Sequence, residues 1–293
     1  MDVRATAAIY NVISRCVYRP SMRILIIGCG SIGSVLAKAV HDMPEVDKLY
    51  VTDMSADYAR RLANNLEKAE YVSGKGDQLC KVLPEVDLTV EAASQDAARK
   101  YVPFVLENGV DVMVMSVGVF TDEQFKENCF TLAKKHRSHI YMPSGAICGT
   151  DGLHAAASAG ISEVHLTTRK GPKGLKGAPG LAMRNIDVDA LTEATVVYEG
   201  NARDAAIQFP KNLNVAATIS LLGVGFDHTK VTIICDPAAE RNSHTLVVKG
   251  DFGELRSETQ NVPSPINPST SYLAALSAVA AVRRILGNVW IGV

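Results

Sequence analysis

The chain has 293 residues, 47% of them hydrophobic and 21% charged, with a formal net charge of −1. That balance describes a globular protein with material for one large domain or two ordinary ones, and it gives no electrostatic case for nucleic acid. No apolar run reaches the roughly 20 residues that cross a bilayer, and the six cysteines, scattered without a CxxC, predict reduced thiols in a cytoplasmic protein.

Residues 1–21 carry Arg4, Arg15 and Arg19 around a weakly apolar stretch, without the compact apolar segment and small-residue cleavage site of a secretory leader. They are expected to be an extension, because Met22 directly precedes the first strand. From there "RILIIGCGSIGSVLAKAV" predicts a short strand over 23–27, buried on both faces, and a helix continuing over 34–40. Between them Gly28, Gly30 and Gly33 form GxGxxG, with Ser31 and Ile32 completing the turn. The first glycine permits the tight turn, the second lets a pyrophosphate approach the backbone, and the third lets the helix pack on the strand. The helix N-terminus offers free N–H donors to phosphate. Asp53 ends the next strand, in "KLYVTD", about 20 residues past the last glycine, where a carboxylate accepts bonds from the adenosine ribose. The same charge repels a 2′-phosphate, so NAD is favoured, while Arg60 and Arg61 keep NADP open.

Further strands are expected over 87–94, 111–120 and 139–146, with helical stretches between them, which is the rhythm of a doubly wound parallel sheet. Its ligand crevice lies at the carboxyl ends of the strands, so Ala93, Ser94, Ser116, Gly118, Ser144 and Ala146 are expected to line it. After residue 149 the alternation becomes cleaner. Strands over 163–170, 194–200, 230–236 and 244–259 predict a mostly antiparallel sheet, interrupted by helices over 201–209, capped by Asn201, and 212–222. Residues 170–183, rich in Gly, Pro and Lys, read as a mobile loop, either a surface insertion or a lid. A long apolar helix with Arg283 and Arg284 near its end closes the chain. The fold expected is α/β: a Rossmann domain over 22–147, an α+β substrate and dimerisation domain over 148–268, and a terminal helix over 269–293. Small residues on that helix and an open sheet face suggest a homodimer.

The chemistry-bearing residues are few. His136 and His139, three apart on a predicted helix, have no Cys or carboxylate cluster at ligand spacing, so no metal is expected. Cys148 reads as a small buried hydrophobe rather than a nucleophile. In "FPKNLNVAAT" Lys211, Asn212 and Asn214 place a cation, two amides and free backbone donors at one helix start, a receiver for a carboxylate or carboxamide, unless Asn212 is only a cap. Asn242 and His244, two apart, face the same way from one strand. Read alone, His244 is either a structural histidine or a proton relay oriented by Asn242.

The combination "GCGSIG", "VEAAS", "MPSGAICGTDGL", "LTTRKGP", "FPKNLNVAATISL", "ERNSHTLVVKGDFGE" and "PSPINPSTSYLAALSA" resembles the L-aspartate dehydrogenase family over nearly the whole chain from Met22 onward. The resemblance implies a homodimeric enzyme that oxidises L-aspartate with NAD or NADP to iminoaspartate. That product hydrolyses to oxaloacetate and ammonia or feeds NAD biosynthesis. It also implies that His244 is the catalytic histidine and that Ala146 and Asn214 contact the cofactor. Arg169 and Lys211 are the candidates for the substrate carboxylates, with Ser144 and Asn212 beside them. Two other readings remain: a dehydrogenase or reductase of another aspartate-derived metabolite, of the homoserine or dihydrodipicolinate type, and a non-catalytic NAD(H) sensor.

Overall fold

A computed structural model describes residues 21–74, 77–210, 213–267, 270–289 and 291–292. Apart from Ser21, the expected N-terminal extension lies outside the described residues, and so do Lys211 and Asn212. The first half alternates strictly: β1 (Met22–Ile27), α1 (Ser31–His41), β2 (Val46–Thr52), α2 (Ala56–Asn64), β3 (Ala69–Tyr71), α3 (Asp77–Val82), β4 (Leu88–Glu91), α4 (Gln95–Glu107), β5 (Asp111–Val114), α5 (Glu123–His136) and β6 (Ile140–Tyr141). The six strands are parallel in the order β3-β2-β1-β4-β5-β6. The order reverses at β1, so the crevice opens between β1 and β4, at their carboxyl ends.

Burial explains the apolar run in β1. Ile24 and Ile26 enter one core with Leu36, Ala37 and Val40 of α1, while Leu25 and Ile27 enter the other with Val102 and Val105 of α4. Two buried faces require an unbroken apolar strand rather than an alternating one. β5 is shorter than the sequence pattern suggests. It ends at Val114, and Val117–Thr121 forms a 3-10 turn that buries Val117, Val119 and Phe120. β6 is likewise only two residues long, and the backbone then turns at Gly145, whose φ is 70°. His136 and His139 do not share a helix. Arg137 closes α5 in the left-handed region at φ 58°, and His139 lies beyond it, with Nδ1 3.2 Å from Asp111.

The second half contains α6 (Thr150–Ala156), β7 (Ile161–Lys170), α7 (Pro172–Leu175), α8 (Pro179–Ala182), β8 (Thr195–Asn201), α9 (Ala202–Gln208), α10 (Asn214–Leu222), β9 (Thr229–Cys235), β10 (Asn242–Gly250), β11 (Gly253–Asn261) and α11 (Tyr272–Leu286). Its sheet runs β11-β10-β7-β9-β8, antiparallel except for β7 and β9. Asn201 caps α9 by accepting a hydrogen bond from the Asp204 N–H at 2.8 Å. Residues 170–183 do not form an open loop. Pro172 and Pro179 each start a helical turn, as their fixed φ favours, and these turns bury Leu175 and Leu181.

The terminal helix α11 returns to the first sheet. Ala278, Val279, Val282 and Leu286 pack in the same core as α1 and β1. The other core is continuous across both halves, running from Leu25 and Val112 through Ala146 and Ile147 to Val164, Leu166 and Leu246. Among the described residues no helix is long and apolar enough to cross a membrane, and no group of three or more His, Cys, Asp or Glu could hold a metal ion.

Candidate active site

The turn after β1 has the shape a dinucleotide needs. Gly28 has φ +101°, and a Cβ there would stand 2.7 Å from the Ala92 carbonyl oxygen. A Cβ on Gly33 would meet the Gly28 carbonyl oxygen at 1.8 Å. Nothing lies within 4 Å of the corresponding point on Gly30. Two glycines are therefore forced by packing, and the third opens onto the free N–H groups of α1, where a pyrophosphate fits. Ile32, in the first turn of α1, packs against the core, and the Ser31 hydroxyl shares a 2.6 Å hydrogen bond with that of Ser264. Asp53 stands at the end of β2, accepting from the Cys29 N–H at 2.7 Å and the Ser55 N–H at 2.8 Å. Each carboxylate oxygen keeps a lone pair for a ribose hydroxyl.

On the other side of β1, Ala93 and Ser94 are exposed at the head of α4, where the Ser94 hydroxyl accepts from the Ala97 N–H at 3.2 Å. Ser116 is buried beneath them, and Gly118 follows in the 3-10 turn. The Gly118 N–H donates to Asn214 Oδ1 at 3.0 Å, so the first residue of α10 is tied to the crevice floor. Arg203 Nη1 donates to the Thr121 carbonyl at 3.0 Å and strengthens the same junction.

Opposite this tie, residues 144–149 lie along β11. Asn261 Nδ2 donates to the Ala146 carbonyl at 2.9 Å, and Ser257 Oγ donates to the Cys148 carbonyl at 2.9 Å. Thr259 Oγ1 accepts from the Cys148 N–H at 3.2 Å. Cys148 is thus exposed and strapped to the strand rather than buried as its residue type suggested. Ser144 is half-buried, and the Gly145 N–H donates to Ser277 of α11 at 3.1 Å. These bonds bring Ala146 beside β11, the neighbour of the strand that carries His244.

His244 is paired with Thr168 on β7 and Thr259 on β11, and it is 3% exposed. Its Nδ1 shares a 3.0 Å hydrogen bond with Thr168 Oγ1, so Nε2 is the ring nitrogen that Thr168 does not engage. Alternation along β7 puts Lys170 on the same inner face as Thr168, and the register continued one step sets Asn242 opposite Lys170. Asn242 Oδ1 lies 3.9 Å from where a Cβ on Gly174 would stand, so α7 covers this corner. Burial, helped by the charge of Lys170, pushes the His244 imidazole down to about 3. Burial alone brings Lys170 down to about 8. The site therefore holds a neutral imidazole beside a weakened ammonium.

Arg169, the expected carboxylate ligand, faces away from this cluster. It is exposed on the opposite side of the sheet, with Nη1 2.9 Å from Asp236 Oδ2. The buried cation is its neighbour Lys170, and the period of two in "HLTTRK" carried the signal: the apolar face includes Leu166 and, two and four residues on, Thr168 and Lys170. Asn261 was also missed. A lone Asn at a strand end has no signature, and its importance comes from residue 146, 115 positions earlier in the chain.

Two family models together match most of the chain. Residues 28–143 match the family model of the homoserine dehydrogenase NAD-binding domain, and residues 151–285 match that of the aspartate dehydrogenase C-terminal domain. The L-aspartate dehydrogenase of Methanosarcina mazei is 47% identical over 273 residues, covering 92% of this chain and 99% of that protein. The enzyme of the same name from Nitrosopumilus maritimus is 39% identical over 264 residues, 89% of this chain and 96% of its own length. Among solved structures, aspartate dehydrogenase from Thermotoga maritima aligns with a TM-score of 0.72 at 30% identity, over 92% of this chain and 99% of that one. A hyperthermophilic archaeal homoserine dehydrogenase in complex with NADPH shares the fold, with a TM-score of 0.56 at 12% identity, over 90% and 97% of the two chains. Identity of this extent over almost the full length of both chains, together with the match of the C-terminal family model over residues 151–285, places the chain in the L-aspartate dehydrogenase family.

Proposed function

We propose that the chain oxidises L-aspartate to iminoaspartate, which hydrolyses to oxaloacetate and ammonia, with NAD preferred over NADP. The observation that carries this reading is the His244–Lys170 cluster, held next to the Ala146 segment by β11. When bound, NAD(P) accepts the hydride released from the substrate Cα; the chain supplies the rest. The N-terminus of α1 and Asp53 would hold the pyrophosphate and ribose, and Ala146, Gly118 and Asn214 would hold the nicotinamide end. Arg60 and Arg61 lie over the rings of Tyr71 and Tyr58, at 5.0 and 4.8 Å, which engages the two cations that would otherwise welcome a 2′-phosphate.

The substrate brings two carboxylates and an ammonium. Lys170 is the buried cation on the site face, so one carboxylate is assigned to it. That assignment has a consequence for His244. The ammonium of Lys170 disfavours a second positive charge on His244. A bound dicarboxylate reverses the local field, and His244 Nε2 then becomes able to take the proton that the substrate ammonium must lose before Cα can be oxidised. After oxidation the imidazole releases that proton to solvent; as a water adds to the C=N bond, the imidazole takes the water's proton and passes it to the departing nitrogen. Asn242, on the same face, orients the substrate or the imidazole. Reduced thiols fit a cytoplasmic setting. The uncovered face of the second sheet, where Thr167, Thr232, Ile234, Thr245 and Val247 stand half-exposed, supports a homodimer.

The deciding experiment is NADH formation from NAD and L-aspartate, beside NADP, D-aspartate and homoserine. Turnover confined to L-aspartate, reduced about 100-fold or more in His244→Ala, is expected, the size of a general acid–base contribution. Turnover of homoserine instead would move the substrate elsewhere within the same fold. Cofactor binding without turnover of any amino acid would favour a sensor.

A further inference from the structure

Glu91 ends β4 and is fully buried, at 0% exposure. Its Oε1 accepts from the Ala93 N–H at 2.9 Å, the Ser94 N–H at 3.0 Å and the Ser116 hydroxyl at 3.0 Å. Its Oε2 accepts from the Ser116 N–H at 3.0 Å. One side chain thus holds both loops of the crevice, the one after β4 and the one after β5. Three of its four partners are backbone N–H groups, which can only donate. Burial is the larger influence and leaves the carboxyl above the ordinary carboxylate range, although the bonds from Ala93, Ser116 and Ser94 pull it down. The geometry, three backbone N–H groups aimed at the two oxygens, fits the ionised form. These four partners are neutral, so they solvate the negative charge without cancelling it.

A buried carboxylate is an expensive way to tie two loops, because its desolvation must be offset before the hydrogen bonds stabilise anything. Its place in the sheet suggests what the charge is for. Asp53, at the end of β2, marks the adenosine side, and α1 takes the pyrophosphate. The other half of a dinucleotide then extends over the carboxyl ends of β4 and β5, where the loops held by Glu91 stand. The nicotinamide ring at that end is positive when oxidised and neutral when reduced.

We propose that Glu91 is a positioning residue for the nicotinamide end of the cofactor, and that its carboxylate makes the crevice favour the oxidised form over the reduced one. This rests on the nicotinamide-dependent reading above and is independent of which amino acid is the substrate.

The test is equilibrium binding to the full chain with no amino acid present, using NAD, NADH, ADP-ribose and benzamide adenine dinucleotide, whose ring is neutral. In the unmodified protein NAD is expected to bind at least tenfold more tightly than the benzamide analogue. In Glu91→Gln that ratio should fall to within threefold, NAD affinity should drop tenfold or more, NADH should change less than NAD, and ADP-ribose should be unaffected. Equal binding of NAD and the benzamide analogue by the unmodified protein overturns the role of the charge, even if the Gln variant does not fold. Equal losses for NAD, NADH and ADP-ribose in the variant overturn the proposal as well, leaving a purely structural tie. Ser116→Ala, which keeps the carboxylate and removes one donor, should weaken NAD and NADH together by threefold or more, and unchanged affinities would overturn the positioning role. Failure of the unmodified protein to bind NAD, NADP or NADH would instead overturn the nicotinamide reading itself.

Discussion

His244 shows how far one side chain depends on its surroundings. Free histidine titrates near 6.5, but burial between Thr168 and Thr259, beside Lys170, lowers this one to about 3. Above pH 6.5 both the folded and unfolded states carry a neutral imidazole, so the full stability is present there. As the pH falls, the unfolded chain takes up the proton first, and stability is lost between about 6.5 and about 3. His244→Asn, which cannot titrate, should flatten that part of the stability curve in urea titrations run at stepped pH; an unchanged slope would mean that the histidine is not held neutral. Lys170 has a different test. Lys170→Met should raise the KM for L-aspartate about 30-fold, roughly the loss expected for one buried charge-assisted contact, while leaving NAD affinity within twofold. In the unmodified enzyme, inhibition by succinate, which has no amine to titrate, should weaken as the pH rises through about 8 and Lys170 loses its proton. A flat inhibition profile would remove Lys170 from the carboxylate site.

At the level of elements, the site is assembled by strand ends and short straps. β11 has no catalytic residue of its own, yet Ser257, Thr259 and Asn261 hold the segment from Ala146 to Cys148 against the neighbour of His244. Asn261→Ala removes the bond to the Ala146 carbonyl and leaves that buried acceptor without its partner, at a cost of about 1–3 kcal/mol. We expect the KM for NAD to rise at least fivefold, with the unfolding midpoint lowered and the pH dependence set by His244 unchanged. An altered pH profile would mean that Asn261 acts on the proton chemistry and not on the cofactor segment. The two turns α7 and α8 belong to this level too. Leu175 and Leu181 are 1% and 5% exposed, so this glycine-rich stretch is seated by its leucines, and Gly180 lets it approach Phe209, where a Cβ would lie 2.5 Å from the ring.

The whole molecule is a chain whose two sheets share a core and whose end returns to its beginning. α11 fills the face of the first sheet against α1, burying Ala278, Val279, Val282 and Leu286. Truncation after residue 271 would expose those side chains and the surface they cover on α1. At about 25 cal/mol per Å² of apolar surface, four such side chains contribute several kcal/mol, comparable with the net stability of an ordinary domain. The truncated chain should therefore be insoluble or unfolded by circular dichroism, and its glycine turn should lose NAD binding although every glycine remains. A folded, NAD-binding truncation would show that the first sheet is independent of α11.

Local rules made much of this protein legible before any coordinates. The strand–glycine turn–helix at residues 22–41, the carboxylate at Asp53, the parallel alternation and the pairing of Asn242 with His244 on one face all follow from spacing, because periodicity and backbone sterics act over a few residues. The sequence also placed the Asn201 cap and strand over 244–259 for the same reason, while the pairing of that stretch as two antiparallel strands came from the structure. What only the tertiary structure decided was which local options met across the chain. It turned Arg169 toward Asp236 and Lys170 inward, ended β5 at Val114 to make the 3-10 floor, and seated residues 172–182 by burying two leucines. It also tied residue 146 to residue 261 and Glu91 to Ser116. Burial and long-range hydrogen bonds are properties of the packed chain, so a charge in "TTRK" or a glutamate in "VEAAS" acquires its meaning only when the surrounding elements have excluded water from it.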